Sequence, residues 1–249
     1  MIWPFSKAPS SPPDAFPQPD GPIWAIGDIH GCDDQFDGLL RAIEQASGGS
    51  EPLVLLGDYA DRGPNSAAVF TRIRALSENT ARPVTCLMGN HDRMLLDFLG
   101  DPVGAGPRFL AHGGQETLLS FGVLPASDGT AEERLNRQAE AFAARIGDLA
   151  DWLRARPLWH RSGDCLFVHA QTDLSLPIEA QPESTLIWAR PPKRIRPRPD
   201  GNWVIHGHTV TRTPRIEGRH IAIDTGAYRG GPLTAVRLVA DQAPHFVQC

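Results

Sequence analysis

Three short segments of the chain combine glycine with side chains that bind metal ions or move protons. They are Gly27-Asp28-Ile29-His30-Gly31, Gly57-Asp58-Tyr59-Ala60-Asp61-Arg62-Gly63 and Gly89-Asn90-His91-Asp92. Carboxylate and amide oxygens, together with imidazole nitrogens, suit Mn, Fe or Zn ions, and no thiolate accompanies them. A single Gly-Asp pair is common in turns, so the prediction of a site depends on the three segments acting together.

The elements around these segments predict how they meet. Residues 23–26, 53–56 and 83–88 are short apolar runs typical of strands buried on both faces, and each run ends at one of the segments. Apolar residues at helical spacing fill 33–46 and 66–78, which gives strand-helix units of about 30 residues and indicates βαβ repeats. Because ligands collect at the carboxyl ends of parallel strands, we expect the three segments to face one site.

The second half of the chain repeats the pattern of a strand followed by histidine. The apolar runs 165–168 and 203–205 lead into His169 and into His206-Gly207-His208. The run 221–223 leads into Asp224, and a last strand, expected to be antiparallel, is predicted over 234–239. These strands add histidines that could join the same site.

Taken in order, the segments resemble the signature blocks of the phosphoprotein phosphatase family within the calcineurin-like metallophosphoesterases, especially its bacterial and phage members. The resemblance covers about residues 23–239 and includes the Gly113-Gly114-x-x-Thr117 segment. It implies an α/β fold with a βαβαβ core and a central mixed β-sandwich flanked by helices, in four layers α/β/β/α. The third block usually ends in Glu, and Asp92 stands there instead, which puts the fine positioning of the site in question.

The resemblance also implies a role for each site residue. Two divalent metal ions, with Mn favoured over Fe or Zn, would have these ligands: Asp28, His30 and Asp58 for the first, and Asp58, Asn90, His169 and His208 for the second. Asp58 would bridge the ions, and a hydroxide shared between them would attack phosphorus. Arg62 and Arg190 would bind phosphoryl oxygens. His91 would protonate the leaving group, while Asp61 would hold its other nitrogen and favour its charged form. His206 would be a structural neighbour, and Asp224 would orient a ligand histidine.

For three features of the sequence, two interpretations remain open. His112 could face the pocket or lie on the surface. The run 191–199, with its Pro and basic residues, is either a solvated loop or a guide for an acidic phosphopeptide or a polyphosphate chain. A capping box at Thr130 begins a predicted amphipathic helix of about five turns reaching Leu153, which would cover the sheet or shape substrate access.

The predicted function is dimetal-dependent hydrolysis of phosphomonoesters by a serine/threonine-type protein phosphatase, with a phosphorylated protein or a small phosphorylated molecule as substrate. The alternative is a hydrolase of dinucleoside polyphosphates such as diadenosine tetraphosphate, since those enzymes share every metal-site block. A non-catalytic scaffold of the same fold is disfavoured, because neither a ligand nor the acid histidine is missing. The blocks decide neither the physiological substrate, nor the native metal, nor the oligomeric state.

Composition sets the remaining expectations. The 249 residues, 41% of them hydrophobic, suffice for one large domain, which the resemblance identifies as a metallophosphoesterase domain over 23–249. We expect a helical insert in it around 95–157 and a Pro-rich tail before it over 1–22. The net charge of -5 gives no electrostatic reason to expect a nucleic-acid partner. The chain shows neither an apolar run long enough to span a bilayer nor a signal peptide, so we expect a cytoplasmic protein without a membrane partner. Four scattered cysteines predict reduced thiols rather than a disulfide framework.

Overall fold

The structure is a computed structural model that describes residues 16–249. Its helices and strands are, in chain order, β1 (Ile23–Ile26), α1 (Asp33–Ser47), β2 (Leu53–Leu55), α2 (Ser66–Glu78), β3 (Val84–Cys86), α3 (Asn90–Gly100), α4 (Pro102–Phe109), α5 (Gln115–Ser120), α6 (Ala131–Ile146), α7 (Leu149–Arg154), β4 (Trp159–Ser162), β5 (Cys165–Val168), α8 (Glu183–Trp188), β6 (Trp203–His206), β7 (Arg215–Glu217), β8 (His220–Ala222), β9 (Thr234–Leu238) and β10 (His245–Gln248). Among the described residues, every helix is too short or too polar to cross a bilayer.

The strands form two five-stranded mixed sheets. The first has the order β10-β9-β1-β2-β3, in which β1, β2 and β3 are parallel and β9 is antiparallel to β1, as predicted. The second has the order β4-β5-β6-β8-β7, in which β5, β6 and β8 are parallel and the two edge strands are antiparallel. The predicted α/β fold, with two mixed sheets flanked by helices, is confirmed.

An apolar core fills the space between the sheets. Successive residues of a strand point to opposite faces, so a continuous apolar run can bury both faces. One face of each sheet contributes to the intersheet core, which includes Ala25, Val54, Leu56, Val236, Phe167, Trp203, Ile205 and Ile221. The opposite faces of β1 and β2 pack with apolar residues of α1 and α2 in the second core cluster. This packing fixes the strand ends from which the site residues extend.

One predicted helix is two helices in the structure. The capping box that begins α6 is present, because Thr130 Oγ1 accepts from the amide of Glu133 and the Glu133 carboxylate accepts from the amide of Thr130. The prediction that the helix continues to Leu153 is wrong. Gly147 has φ of 55°, which interrupts the helix, and α7 begins as a separate helix at Leu149.

The end of the predicted Pro-rich tail is ordered against the second sheet. Residues 1–15 of that tail lie outside the described residues. The Gln18 amide donates to Asp164 Oδ1 at 2.7 Å, and the Asp164 amide donates back to the Gln18 carbonyl at 3.1 Å. The chain therefore enters the domain along the turn between β4 and β5.

Candidate active site

The predicted site residues converge where the carboxyl edges of the two sheets meet. They follow the elements in this order: Asp28 and His30 after β1, Asp58 after β2, Asn90 at the start of α3, His169 after β5 and His208 after β6. All of them are buried except His208, which is partly exposed. Residues far apart in the chain thus share one small volume.

Asp58 lies at the centre of this cluster. Its Oδ2 is 3.4 Å from His30 Nε2, and its Oδ1 is 3.5 Å from His169 Nε2. The Oδ1 atom also accepts a 2.8 Å hydrogen bond from the His91 amide. The carboxylate therefore presents one oxygen to the first sheet's histidine and the other to the second sheet's histidine.

Asn90 joins the two histidines of the second sheet. Its Oδ1 lies 2.9 Å from His169 Nε2 and 2.8 Å from His208 Nδ1. The amide oxygen and the two imidazole nitrogens lie on one side of the cluster, and all three are potential ligands of a single metal ion.

The ligand atoms form two groups in which every member lies within 4.8 Å of the others: His30, Asp58 and His91 in one, and Asp58, His169 and His208 in the other. Asp58 belongs to both, as a bridging ligand must. Oxygen and nitrogen donors without sulfur suit Mn, Fe or Zn, so the residues fit two divalent cations. Asp28 is in neither group, and both of its carboxylate oxygens lie 3.1 Å from the amide nitrogen of His208.

The acidic residues of the site are buried close to one another. Burial and the nearby Asp224 and Asp58 carboxylates raise the pKa of Asp28 well above its usual range. Burial, followed by the Asp92 carboxylate, does the same to the pKa of Asp58. Bound cations neutralise such a cluster and reverse these shifts, which is a second reason that the residues fit metal ions.

Backbone carbonyls orient the imidazoles of His30 and His169. The Nδ1 atom of His30 lies 2.8 Å from the Ala60 carbonyl, and that of His169 lies 3.0 Å from the Leu56 carbonyl. Each Nδ1 therefore donates, which leaves Nε2 free to act as a ligand. Burial, with the Arg62 charge next in importance, lowers the pKa of His30 to about 3, so its imidazole is neutral near pH 7.

The backbone of the site is strained. Five non-glycine residues adopt left-handed φ values: His30 at 47°, Asp58 at 54°, Asp61 at 72°, Arg62 at 71° and His208 at 64°. Such conformations cost free energy and persist only where surrounding contacts impose them. Their concentration here indicates that the fold holds these side chains in fixed directions.

Asp92 anchors the loop that carries Asp58. Its Oδ2 accepts from the amides of Asp58 at 2.8 Å and Gly89 at 3.0 Å, and its Oδ1 accepts from the Tyr59 amide at 3.0 Å. The shorter acid at this position thus still reaches three backbone donors, and it also caps α3. Asp92 therefore holds the Asp58 loop through these contacts, although the family usually has Glu at this position.

Asp61 connects His91 to the helical segment. Its Oδ2 lies 2.7 Å from His91 Nδ1, and its Oδ1 accepts a 2.7 Å hydrogen bond from Thr117 Oγ1. The Gly113 carbonyl accepts from the Arg62 amide at 3.1 Å. The Gly113–Thr117 segment therefore positions both the acid and the arginine that follow β2.

His91 is a neutral imidazole in this arrangement. Its Nε2 lies 2.8 Å from Arg62 Nη2, and because a guanidinium only donates, Nε2 accepts and Nδ1 carries the proton. Burial lowers the pKa of His91 far below its usual value, and the neighbouring His30 and Arg62 lower it further. Asp61 contacts Nδ1 as expected, and burial is the largest cause of the lowered pKa.

An open cleft leads to the cluster. Arg62 and Arg190, both predicted to bind phosphate, line it, and a third arginine, Arg229, lies on its wall. The Arg62 guanidinium lies 4.4 Å from the centre of the Tyr228 ring, and that of Arg229 lies 5.0 Å from it. The cleft therefore presents three guanidinium groups to a ligand.

Sequence analysis missed two residues of this wall and left a third open. Tyr228 and Arg229 were not assigned, although the flanking glycines Gly226 and Gly230 mark the tight turn that carries them. His112 is exposed and lines the cleft, with its ring centre 6.3 Å from that of His91. No local spacing connects these residues to the metal-site blocks, so only the fold brings them to the cleft.

The Pro- and Arg-rich run 191–199 is not uniformly solvated. Arg198 is buried, and its guanidinium pairs with Asp200 and donates to the Leu176 carbonyl at 2.9 Å. Lys193 and Arg194 remain exposed. One of the basic residues therefore stabilises the loop itself, which neither interpretation of the sequence anticipated.

Comparison with known proteins gives concordant results. A protein-family profile described as calcineurin-like phosphoesterase matches residues 21–212. A bis(5'-nucleosyl)-tetraphosphatase PrpE, asymmetrical, from Geobacillus sp. strain WCH70 is 30% identical over 234 residues, which cover 86% of this chain and 89% of that protein. A symmetrical bis(5'-nucleosyl)-tetraphosphatase from Bordetella parapertussis is 35% identical over 150 residues, but the match spans only 43% of that protein and 60% of this chain. A crystal structure provisionally described as a diadenosine tetraphosphatase superposes with a TM-score of 0.63 at 22% identity, over 94% of this chain and 96% of that one.

Proposed function

Since the chain belongs to the calcineurin-like phosphoesterase family, we propose that it is a metal-dependent hydrolase of dinucleoside polyphosphates, with diadenosine tetraphosphate as the representative substrate. The relative that aligns over nearly the whole of both chains supports this choice, because its printed name is that of a bis(5'-nucleosyl)-tetraphosphatase. The initial preference for a serine/threonine protein phosphatase has less support from the relatives.

The cleft supports the same choice. Its three guanidinium groups, from Arg62, Arg190 and Arg229, exceed the two expected for a phosphomonoester. A tetraphosphate chain carries several charged phosphoryl groups in a row, and each can accept paired hydrogen bonds from an arginine. The arginine count is the observation of this structure that carries the proposal.

Metal ions would be held by His30, Asp58, His169 and His208, which belong to the two groups of ligand atoms, together with Asp28 and Asn90, which the resemblance to the family adds. The oxygen and nitrogen donors favour Mn. When bound, such a pair supplies charge neutralisation at phosphorus and acidifies a water molecule. The protein's own residues would contribute in two ways. The arginines would orient the phosphate, and His91 would supply the proton for the leaving group. A substrate phosphate that draws Arg62 away would free His91 Nε2 and remove a charge that lowers the His91 pKa, so Nε2 would take up a proton from solvent and pass it to the leaving oxygen.

Parallel assays of diadenosine tetraphosphate and a phosphoserine peptide test the proposal, each with Mn added. We expect a higher kcat/KM for the dinucleotide. Chromatography of the products identifies the attacked bond, because symmetrical cleavage gives two ADP and asymmetrical cleavage gives AMP and ATP. A clear preference for the phosphopeptide would reject the proposal and restore the protein phosphatase.

A further inference from the structure

Exposed positive charges continue beyond the catalytic cleft. The loop that follows Arg190 carries three of them, and the loop between β6 and β7 carries a fourth. We call these four exposed residues the basic rim: Lys193, Arg194, Arg196 and Arg212. The whole chain has a net charge of -5, so this concentration of positive charge is local and does not follow from the composition.

The basic rim adjoins the cleft. Thr209 lines the cleft, and it also lines a neighbouring pocket whose wall includes Lys193. Thr211 lines the same pocket, and Arg212 is the next residue of the chain. An anionic chain that leaves the cleft past Thr209 therefore comes next to Lys193, with Arg212 on the other side of the pocket mouth.

The charges of the basic rim are not neutralised by the part of the chain that the structure describes. Within residues 16–249, no salt bridge joins any of the four to a carboxylate. Two acidic residues of the same region are paired with other arginines, Asp200 with Arg198 and Glu217 with Arg215. The four cations are therefore available to an anionic ligand.

Buried contacts hold the loop of the basic rim in place. The Arg198 guanidinium is buried and donates to the Leu176 carbonyl at 2.9 Å. Ile195 packs closely on the turn between β7 and β8, where a Cβ added at Gly218 would lie 3.1 Å from Ile195 Cγ2. A loop that is already ordered loses less conformational freedom when a ligand binds, which favours binding.

The composition of the basic rim indicates which anion it suits. Residues 190–196 and 209–212 include no aromatic side chain. Proteins that bind single-stranded nucleic acids combine positive charge with aromatic rings on which the bases stack. A polyphosphate chain has no bases along its length and carries negative oxygens on every phosphorus, so a row of guanidinium and ammonium groups matches it.

We propose that the basic rim binds the part of a polyphosphate chain that extends beyond the cleft, so that substrates with more than four phosphates are preferred. This inference rests on the proposed function and makes the length of the phosphate chain a determinant of its specificity. Arg62, Arg190 and Arg229 bind the phosphates inside the cleft, and the rim binds those that follow past Thr209. Because the rim lies outside the cleft, it acts on KM and not on the chemical step.

The test compares diadenosine triphosphate, tetraphosphate and hexaphosphate, with Mn in excess over substrate. In wild type, kcat/KM should rise with chain length, mainly through a lower KM. Lys193→Gln/Arg194→Gln should raise KM for the hexaphosphate about tenfold, as for the loss of two exposed charge contacts, with kcat within about twofold. The loss should shrink as the chain shortens and be smallest with p-nitrophenyl phosphate. The KM of the variant for the hexaphosphate should also depend less on NaCl concentration.

Two further variants separate the basic rim from net charge and from a single loop. Arg137→Gln/Arg145→Gln removes the same charge from two exposed positions on α6 that line neither the cleft nor the pocket, and it should match wild type. Arg212→Gln lies on a different loop from Lys193 and should also raise KM most for the hexaphosphate. An unchanged hexaphosphate KM in both rim variants would overturn the inference, and so would equal losses on all substrates.

The outcomes distinguish this inference from the proposed function. If wild type hydrolyses the dinucleotides without any preference for length, only the inference fails. If wild type hydrolyses none of them, the proposed function fails, and inhibition of p-nitrophenyl phosphate turnover by linear inorganic hexaphosphate then tests the rim. Inhibition by pyrophosphate that is as strong as inhibition by hexaphosphate would overturn the inference. Equally strong inhibition by oligothymidylate would also overturn it, because the rim would then bind polyanions in general.

Discussion

The Thr117 hydroxyl donates a 2.7 Å hydrogen bond to Oδ1 of Asp61, and the same hydroxyl oxygen accepts from the Asp61 amide at 2.8 Å. Thr117 lies on α5, within the helical segment, whereas Asp61 follows β2 of the first sheet. The other carboxylate oxygen of Asp61 faces His91 Nδ1. A helix outside the central sheets therefore sets the direction of the acid that orients His91.

Thr117→Val should lower kcat about tenfold with little change in KM, because valine keeps the shape but leaves Asp61 free to turn from His91. Steady-state kinetics with diadenosine tetraphosphate measure this, and Thr117→Ser should restore most of the rate. The control is Thr71→Val on α2, where the exposed hydroxyl donates only to the Ala67 carbonyl. An unaltered kcat in Thr117→Val would remove Thr117 from the positioning network.

His91→Asn should reduce kcat by about 100-fold or more on a phosphoester with a poor leaving group, since such a group depends on protonation. The loss should be much smaller on p-nitrophenyl phosphate, whose leaving group departs without a proton. Rates on an alkyl and an aryl phosphate, measured with metal content verified, give the comparison. Equal losses on both substrates would contradict an acid role for His91.

Gly113→Ala should impair activity and stability together. Gly113 has φ of 100°, and an added Cβ would lie 2.5 Å from the Arg62 amide nitrogen, so the backbone contact to Arg62 must open. Gly122→Ala is the matched control, since its φ of 75° carries similar strain while the nearest atom lies 3.9 Å away. Both should lose about 1 to 2 kcal/mol in urea denaturation from the left-handed backbone. Only Gly113→Ala should also lose phosphoesterase activity.

Asp58→Asn should lower the number of bound cations, because Asp58 belongs to both groups of ligand atoms. Elemental analysis after loading with Mn and desalting should find about two ions per wild-type chain and fewer than one in the variant. Asp151→Asn, an exposed change on α7, should keep the wild-type count. A wild-type chain that holds one ion when fully active would contradict the bridging role.

Stability should fall in acid partly through His220. Burial, the largest cause, lowers its pKa from 6.5 to about 4, so the unfolded chain binds a proton that the folded chain does not accept until about pH 4. The stabilisation is therefore complete above pH 6.5 and is lost as the pH falls toward 4, by an amount on the order of 3 kcal/mol. Urea denaturation of wild type and His220→Phe across this range should show a shallower pH dependence in the variant. Parallel curves would contradict the assignment.

The strand-centred part of the fold was predictable because its signal is local. Each apolar run that precedes a motif forms a strand at the predicted place, within a few residues at its ends. The residues of the metal-site blocks meet because parallel strands deliver their following residues to one edge. The split between α6 and α7 was missed, since the apolar period continues through Gly147 and gives no sign of the break.

Contacts between segments that are distant in the chain could not be predicted from the sequence. Thr117 was noted only as part of a short motif, and nothing in its spacing indicates a bond to Asp61. The neutral state of His91 depends on burial beside Arg62 and His30, which composition does not reveal. Tyr228 and Arg229 reach the cleft from a turn near the C-terminus, so their place depends on how β8 and β9 cross between the two sheets.

The location of the Asp58 cluster at the junction of the sheets has a consequence for the whole sandwich. The first sheet contributes His30 and Asp58, and the second contributes His169 and His208. Cations bound between these residues would link the two sheets at their carboxyl edges. The apolar interior already joins the sheets elsewhere. Because a ligand bound only by the native state adds to its stability, cations bound there would raise the temperature at which this protein unfolds.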